Sequence, residues 1–461
     1  MPDDGVVVTS AGPEWKTRSG FVLATIGSAI GIGSIWKFPY EVGANGGGAF
    51  VLVYLVGLAL VVVPMMLAEF AIGRRGRADA ATSIEVTAVS EAASPRWRVI
   101  GVAGAVTAFL ILSFYAVIGG WALFFAVDTL RHGLPRGAAA VTDRFDGLLG
   151  SPVRMAAYQA LFLASVAVVV GRGVQRGIEV SMKVLMPLLA ALLVALAGYS
   201  MSTGDADAAL RFLFVPDFDD LTGRGILDAL GLGFFSIGVG LGILLTYAAY
   251  SPRAVGLKSA AVVAVAGDTA VSLLAGLAIF PVVFANDVDP GSGPGLAFVA
   301  LPLAFDAMPG GRWAATMFFA MLAIAALGSA ISMLETVVAV ADRRYGWRRS
   351  RGTVVAAVLC FVAGLATVLS FNHWADFHPL GGIGRYRDAT VFDLLDDLTS
   401  QLLLPLGGLA IAIFAAWVMS SRLLAVELDL RGWALRGLRL TLRFVAPALV
   451  VAAAAASVLG R

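Results

Sequence analysis

The stretch GSAIGIGSIWKFP, residues 27–39, decides how this chain folds. It lies inside an apolar run over about 21–40, and Gly27, Gly31 and Gly33 fall in the middle of that run. Each glycine destabilises a helix interior by about 1 kcal/mol relative to alanine. Unpaired backbone groups at membrane depth are tolerated only where they line a cavity or are buried in protein. The stretch therefore predicts a broken transmembrane helix whose open backbone is available to a ligand.

A second stretch of this kind, GFFSIGVGLG at 233–242, lies in the sixth apolar segment. The alternative for the first stretch is a glycine face for close helix packing, since Gly27 and Gly31 form a GxxxG pair. Two interrupted segments in matching positions instead indicate the substrate site of a transporter. A repeat of five spans is odd in number, so the second unit enters the membrane from the opposite side. This arithmetic predicts an inverted repeat.

The composition of the 461 residues is that of a polytopic all-α membrane protein: 59% are hydrophobic and only 14% charged. A soluble domain carries about 25% charged residues. The single cysteine, Cys360, excludes an internal disulfide, and the three histidines all fall in polar segments. We therefore expect neither a cysteine metal site nor an organic cofactor. The polar first twenty residues do not resemble a signal peptide.

The apolar segments suffice for about eleven transmembrane spans of about 20 residues each. They lie at roughly 20–40, 49–72, 99–128, 153–171, 178–200, 226–250, 259–285, 313–341, 352–370, 391–420 and 443–459. Basic residues gather in every second connection, as at Arg74 and Arg343, whereas the alternate connections are mixed or acidic, as at Asp287 and Asp289. Because basic connections stay in the cytoplasm, we expect a cytoplasmic N-terminus.

Several stretches resemble the neurotransmitter:sodium symporter family. They are Trp15 with RSGFVLATIGSAIGIGSIWKFPYEVGANGGGAF (18–50), PMMLAEFAIGR (64–74), FFSIGVGLGILLTYAAY (234–250) and FDLLDDLTSQLLLPLGGL (392–409). The resemblance implies a leucine-transporter-like 5+5 inverted repeat with helices 1 and 6 broken at mid-membrane. It implies a single transmembrane domain over 1–461, with repeats at 15–200 and 226–420 and an eleventh helix at 436–461.

The resemblance also implies a substrate site at the two breaks, where half-helix N-termini favour a carboxylate. The backbone N–H groups of Ile32 and Gly33 and the hydroxyl of Tyr115 would hold that carboxylate, although Tyr115 taken alone is more typical of a packed or interfacial aromatic. The remaining substrate contacts would be Ser28, Ala29, Ile111, Phe235, Ser236, Gly238, Leu241, Ser329 and Met333. Because no acidic residue is present for a free amine, we expect an amino acid, and the apolar lining favours a hydrophobic or aromatic L-amino acid.

The family's first sodium site maps onto the Ala29 carbonyl and the side chains of Ser34, Ser236 and Asp268. Ser34 and Asp268 stand where many members of the family have asparagine. An ionisable group at membrane depth is a functional candidate. The acid would supply the negative charge that chloride supplies in animal members, so we expect chloride-independent transport.

The second sodium site maps onto the carbonyls of Gly27, Ile30 and Ala325 and the side chain of Ser329. Members usually have two adjacent hydroxyls here, whereas Gly328 precedes Ser329 in this chain. We therefore expect one or two Na+ ions, and a single-sodium or proton-coupled mechanism stays open.

Gating residues are implied as well: Lys37, Phe235, Asp396, Trp15 and Tyr250. Lys37, the expected partner of Asp396, stands where the family has arginine, and lysine keeps the charge but lacks the bidentate fork. The arginine of the inner gate is absent, since Gly12 occupies its position, and Asp342 would be the acidic partner there. Glu335 is expected to face a polar protein interior.

The chain is therefore interpreted as a sodium-coupled amino-acid symporter that works by alternating access in the inner (plasma) membrane of the cell. Its expected partners are the amino-acid substrate and the lipid bilayer, with no nucleic acid and no obligate protein partner. A non-transporting sensor or channel on the same scaffold is the alternative. A membrane enzyme is disfavoured, because the spans lack histidine and hold few carboxylates.

Overall fold

A computed structural model describes residues 13–286 and 296–459, so Gly12, Asp287 and Asp289 lie outside the described residues. Within these ranges the chain is helical, without strands, and one isolated bridge joins Gly47 to Pro216. Eight of its helices are long and apolar enough to cross a membrane, and a bent pair forms a ninth such span.

The first span consists of two helices, α1 (Arg18–Ala29) and α2 (Gly33–Ala44), which are bent by 53° at their junction. Thr17 caps α1 by accepting the Gly20 N–H at 3.0 Å, and Ile30 ends it with an extended ψ of 110°. The first half continues with α3 (Gly48–Gly76), α4 (Ala80–Ser90), α5 (Pro95–His132), α6 (Ala138–Leu149), α7 (Pro152–Gly171), α8 (Val174–Thr203) and α9 (Ala206–Phe214).

The sixth span is also in two pieces, α10 (Gly223–Ile237) and α11 (Ile243–Ala249). Between them Gly238, Gly240 and Gly242 have φ values of 71°, 91° and 75°, a region that glycine adopts without steric cost. The remaining helices are α12 (Leu257–Ala285), α13 (Leu301–Asp306), α14 (Gly311–Tyr345), α15 (Arg349–Ser370), α16 (Val391–Val418), α17 (Ser421–Leu428), α18 (Gly432–Leu440) and α19 (Ala446–Leu459).

These helices confirm the predicted fold class, including the breaks in the first and sixth spans. Length and composition alone give nine spans in the described ranges, and the sixth span is not among them because it is in two short pieces. Several predicted boundaries were too narrow, since helices continue past their apolar centres. The third span, predicted at 99–128, runs over Pro95–His132, and its last turn carries a His132–Asp128 contact of 2.9 Å.

Two spans, α5 and α14, form the buried centre of the molecule and pack along each other. The spans α7 and α8 bury much less of their surface within the protein. Helix α1 packs against α8, α12 and α14, and α11 packs against α3 and α14. Both broken spans therefore contact the central helix α14, which brings their open backbones into the interior.

Candidate functional site

The first break joins helix α1 to the centre of α5. The backbone N–H of Ile32 donates to the hydroxyl of Tyr115 at 3.0 Å, although the two residues are 83 positions apart. A Cβ at position 31 would lie 2.5 Å from Ser329 Oγ and 2.7 Å from Tyr115 Oη. Only glycine fits at this position, so Gly31 lets the backbone of the break approach two hydroxyls.

The second break is held between two other helices. A Cβ on Gly240 would lie 2.7 Å from the backbone nitrogen of Gly408 in α16, and one on Gly104 of α5 would lie 3.0 Å from the Gly240 carbonyl oxygen. The Gly240 N–H donates to Glu69 Oε1 at 2.7 Å, and Glu69 is fully buried. A carboxylate thus satisfies a backbone donor that the helix has released.

One cavity lies where the two breaks meet. Eleven of the twelve predicted substrate residues line it, all except Ile32, whose N–H faces Tyr115. Its volume is about 30 Å³ in this structure. Gly31, Ile243 and Leu404 also line it, and sequence reasoning missed these three. Leu404 had a signal, because it lies in the stretch LLLPLGGL that resembles the family.

Asp268 of α12 lies at the centre of a hydroxyl cluster. Ser34 donates to Oδ1 at 2.6 Å, Ser236 donates at 2.9 Å, and Tyr54 donates to Oδ2 at 3.1 Å. Asp268, Ser34 and Tyr54 are almost entirely buried. The structure therefore gathers the three side chains predicted for the first sodium site, and the Ala29 backbone borders the adjacent cavity. Such oxygen donors suit a hard cation.

The residues of the second predicted sodium site lie between α1 and α14. Ser329 Oγ is 3.2 Å from the Ile30 carbonyl oxygen and 3.3 Å from that of Ser28. A Cβ on Gly328 would be 2.7 Å from the Gly27 carbonyl oxygen, so the missing hydroxyl is replaced by a close backbone approach. Ala325 is buried one turn earlier on α14. The oxygen set is present but is one side-chain ligand short of the family's pattern.

At one side of the cavity, Lys37 Nζ lies over the ring of Phe235, 4.8 Å from its centroid. A Cβ on Gly33 would lie 3.1 Å from the Phe235 ring, so this ring rests directly on the broken backbone. Asp396 accepts a hydrogen bond from Ser400 at 2.9 Å. The structure describes both Lys37 and Asp396, and their charged groups are not within the 4.0 Å of an ion pair. Their pairing stays a prediction.

On the opposite side, Trp15 is 1% exposed and joins the N-terminal segment to α11. Its backbone N–H donates to the Tyr250 carbonyl at 3.0 Å and its indole N–H donates to the Tyr247 carbonyl at 2.9 Å. The Tyr250 hydroxyl donates to Glu335 Oε1 at 2.9 Å. These contacts close this end of the molecule between the N-terminal segment, α11 and α14.

An ion pair between Glu335 and the partly exposed Arg349 completes this closure, which we call the inner network (Trp15, Tyr247, Tyr250, Glu335 and Arg349). Glu335 is fully buried, as expected for a residue facing the protein interior. The sequence reasoning missed Arg349 and named Asp342 as the acidic partner. The structure places Asp342 Oδ1 buried against Gly352 without a hydrogen-bond partner among the described residues.

Comparisons with known proteins agree with this architecture. A family model described as the sodium:neurotransmitter symporter family matches residues 12–145 and 149–459. An uncharacterised sodium-dependent transporter of Bacillus subtilis is 37% identical over 416 residues, covering 90% of each chain. Another from Haemophilus influenzae is 30% identical over 413 residues, covering 88% of this chain and 89% of that protein.

Among solved structures, MhsT in complex with L-phenylalanine is similar with a TM-score of 0.87 and 40% identity. The match covers 96% of this chain and 99% of that chain. Because the family match spans nearly the whole chain, the chain belongs to the sodium:neurotransmitter symporter family, a family of sodium-coupled membrane transporters and not of enzymes.

Proposed function

We propose that this chain carries a hydrophobic or aromatic L-amino acid across the membrane together with sodium, by alternating access and without chloride. The observation that supports it most directly is the cavity at the meeting point of the two breaks. Its lining includes the hydroxyl of Tyr115, whose oxygen accepts the Ile32 N–H at 3.0 Å. It also includes the apolar side chains of Ile111, Leu241 and Met333.

The polar and the apolar groups of this lining match the two parts of such a substrate. Backbone N–H groups at a helix terminus and a tyrosine hydroxyl are donors for a carboxylate. The apolar side chains remove a hydrocarbon or aromatic side chain from water, which stabilises binding by about 25 cal/mol per Å² of buried apolar surface. None of the described lining residues is acidic, so no protein carboxylate is available for the amine of a substrate that lacks its own. The binding of L-phenylalanine by the similar MhsT supports the same class.

The proposed independence from chloride rests on Asp268. Its carboxylate is fully buried and accepts hydrogen bonds from three hydroxyl groups. Hydroxyl donors reduce the cost of burying a carboxylate but do not neutralise it, so a cation beside it is favoured. With this fixed acid present, the charge of a bound Na+ has its counter-charge within the protein.

A single-sodium mechanism is the second candidate, and Gly328 is the observation that favours it. The position lacks a hydroxyl, and its backbone closely approaches the Gly27 carbonyl. Fewer side-chain ligands weaken the second site. Since each charge moved inward contributes about 2.3 kcal/mol per 100 mV, the number of ions sets how far the substrate is concentrated.

We further propose a cytoplasmic N-terminus in the inner (plasma) membrane and repeats over 15–200 and 226–420. Contacts among basic segments support one cytoplasmic face. Arg18 donates to Ser259 at 3.0 Å, Arg74 donates to the Val255 carbonyl at 2.9 Å, and Lys258 lies 3.7 Å from Asp429. Connections that are distant in sequence thus meet on the same side.

The proposal is tested with the purified chain in proteoliposomes. Phenylalanine, leucine, alanine and glutamate are offered with and without an inward sodium gradient, in chloride and in gluconate. Accumulation of phenylalanine or leucine that needs sodium and is equal in both anions is expected. Uptake that needs chloride, or that prefers glutamate, would contradict it. The shape of the curve of uptake against sodium concentration separates the one-sodium from the two-sodium mechanism. One coupled ion gives a hyperbolic curve, and two coupled ions give a sigmoidal curve.

A further inference from the structure

The junction between the end of α16 and the start of the last span carries a group of arginines beside exposed aromatic rings. We call it the arginine corner, defined by Arg436, Arg439, Arg443, Trp417 and Trp433. Arg436 and Arg443 are exposed, and Trp433 and Trp417 are 82% and 47% exposed. Three positive charges within eight residues stand at the surface of a helix that then enters the apolar α19.

Two of the three guanidinium groups are held in place by contacts to α16 and α17. Arg439 donates to the Ala416 carbonyl at 3.0 Å and to the hydroxyl of Ser421. The Arg443 guanidinium lies 5.2 Å from the centroid of the Trp417 ring. Two of the three charges are therefore fixed by contacts to a neighbouring span, which reduces the side-chain entropy that a ligand must remove.

The three arginines of the arginine corner, Arg436, Arg439 and Arg443, form no ion pair with an acidic residue within the described ranges 13–286 and 296–459. Asp429, which precedes them, instead lies 3.7 Å from Lys258. The arginine corner thus keeps a net positive charge that suits an anion. Arginine favours phosphate in particular, because its planar fork matches the phosphate oxygens.

An apolar stripe continues from the same charges. Leu440 and Phe444 are 58% and 60% exposed, and with Trp433 they occupy positions 433, 440 and 444, which share one face of a helix. An anion alone would leave this stripe without a partner. An amphiphile with an anionic head and hydrocarbon tails covers both the charges and the stripe. Exposed tryptophan is typical of the boundary between headgroups and acyl chains.

We propose that the arginine corner is a binding site for an anionic phospholipid, whose phosphate meets Arg436, Arg439 and Arg443 and whose acyl chain lies along Leu440 and Phe444. The adjoining leaflet is the source of this ligand. Basic clusters next to a transmembrane helix recognise anionic lipids by this chemistry. The site is separate from the cavity at the two breaks and does not depend on which substrate is carried.

The test is native mass spectrometry of the purified full chain in detergent with added phosphatidylglycerol or phosphatidylcholine. The variant Arg436→Gln/Arg443→Gln is compared with the control Arg131→Gln/Arg136→Gln. The control makes the same charge change at two exposed positions, one in the last turn of α5 and one just after it. Each arginine near an anionic headgroup contributes about fivefold in affinity, so retention of phosphatidylglycerol should fall about 25-fold in the first variant and stay unchanged in the control. The wild-type chain should retain phosphatidylglycerol in preference to phosphatidylcholine.

Three outcomes would overturn the proposal: equal retention of both lipids by the wild-type chain, an equal loss in the control, or no loss in the arginine-corner variant. Inorganic phosphate added at the lipid concentration should leave the lipid bound, and its displacement would also contradict a lipid site. If the glutamine variant does not give a monodisperse peak, Trp433→Ala/Phe444→Ala keeps every charge. This second variant should lose at least about threefold in retention of phosphatidylglycerol, since it removes the apolar contacts, and unchanged retention would refute the site.

Discussion

At the scale of single residues, Asp268 is the side chain with the greatest expected influence on ion coupling. A buried carboxylate is costly unless it is paired or hydrogen-bonded, and here hydroxyl groups from three different spans donate to it. These spans are α2, α3 and α10, so one acid connects both broken helices to the scaffold. A change at this residue alters the charge of the site and the contacts between spans at once.

Replacing the acid with its amide, Asp268→Asn, should make transport dependent on chloride. The amide keeps the size of the side chain but removes its negative charge. Sodium-driven uptake in gluconate should therefore fall at least about tenfold, which corresponds to a loss of about 1.4 kcal/mol in sodium binding. Added chloride should restore part of this uptake. Uptake into proteoliposomes in the two anions is the measurement. The exposed acid in Asp376→Asn is the control and should behave as wild type. Full uptake by Asp268→Asn in gluconate would count against the assignment.

Removing the hydroxyl in Tyr115→Phe should weaken substrate binding. Hydrogen bonds to a charged group contribute about 1.5–3 kcal/mol, so the Kd for the amino acid should rise about 10- to 100-fold. Equilibrium binding of radiolabelled phenylalanine measures it. Tyr158→Phe is the matched control, because Tyr158 packs on Phe124 away from the cavity. An unchanged Kd in Tyr115→Phe would show that this hydroxyl does not contact the carboxylate.

At the scale of elements, the two broken spans are held open by close backbone contacts. The first break depends on Gly31, which lies against Tyr115 and Ser329, and the second is held between Gly104 and Gly408. Each break therefore depends on contacts with the intact helices as much as on its own glycines. Helix propensity explains why the spans can break, and these contacts explain where they do.

Gly31→Ala should abolish substrate binding, whereas Gly198→Ala should leave it intact. A Cβ at position 31 would lie within 2.7 Å of two hydroxyl oxygens, but at position 198 it would meet nothing within 4 Å. Both changes raise helix propensity by about 1 kcal/mol, so propensity alone cannot separate them. Binding of phenylalanine and the melting temperature are measured for both variants. Equal binding by the two would mean that the contacts at position 31 are not needed.

At the scale of the whole molecule, one end is closed by the inner network while the cavity lies deeper inside. The Glu335–Arg349 pair joins α14 to α15, and Trp15 ties the N-terminal segment to α11. Loss of Arg349 would leave the fully buried Glu335 carboxylate without its cation, which is strongly unfavourable. The balance between closed and open states of this end should therefore respond to single substitutions.

Arg349→Gln should open this end more than the double variant Glu335→Gln/Arg349→Gln, because only the single change leaves an unpaired buried charge. The readout is alkylation of a cysteine introduced by Ser332→Cys in a Cys360→Ser background, since Ser332 is fully buried beside Tyr247. Labelling should be at least about tenfold faster in the single variant. The exposed neighbour Arg348→Gln is the control, and equal labelling rates across all variants would refute the gating role of the pair.

Sequence reasoning reached the breaks and most of the cavity because glycine placement and the family resemblance are local signals. It did not find a partner that depends on how two spans are rotated against each other: Arg349 was not recognised as the partner of Glu335. Arg349 is a long side chain that lies 14 positions from Glu335 on the next helix, so spacing along the chain does not identify the pair. The pairing of Lys37 with Asp396 stays a prediction.

The anchoring of Trp15 has a consequence for how this end of the molecule tolerates mutation. Both of its N–H groups donate to main-chain carbonyls, those of Tyr250 and Tyr247. Carbonyl oxygens are present whatever side chain is encoded, so replacing either tyrosine leaves the acceptors in place. One of the two donors is the backbone N–H of residue 15, which only a substitution by proline would remove. Substitutions at positions 247 and 250 should therefore leave both hydrogen bonds of Trp15 in place. A screen for variants in which the N-terminal segment detaches from α11 should return substitutions of Trp15 itself.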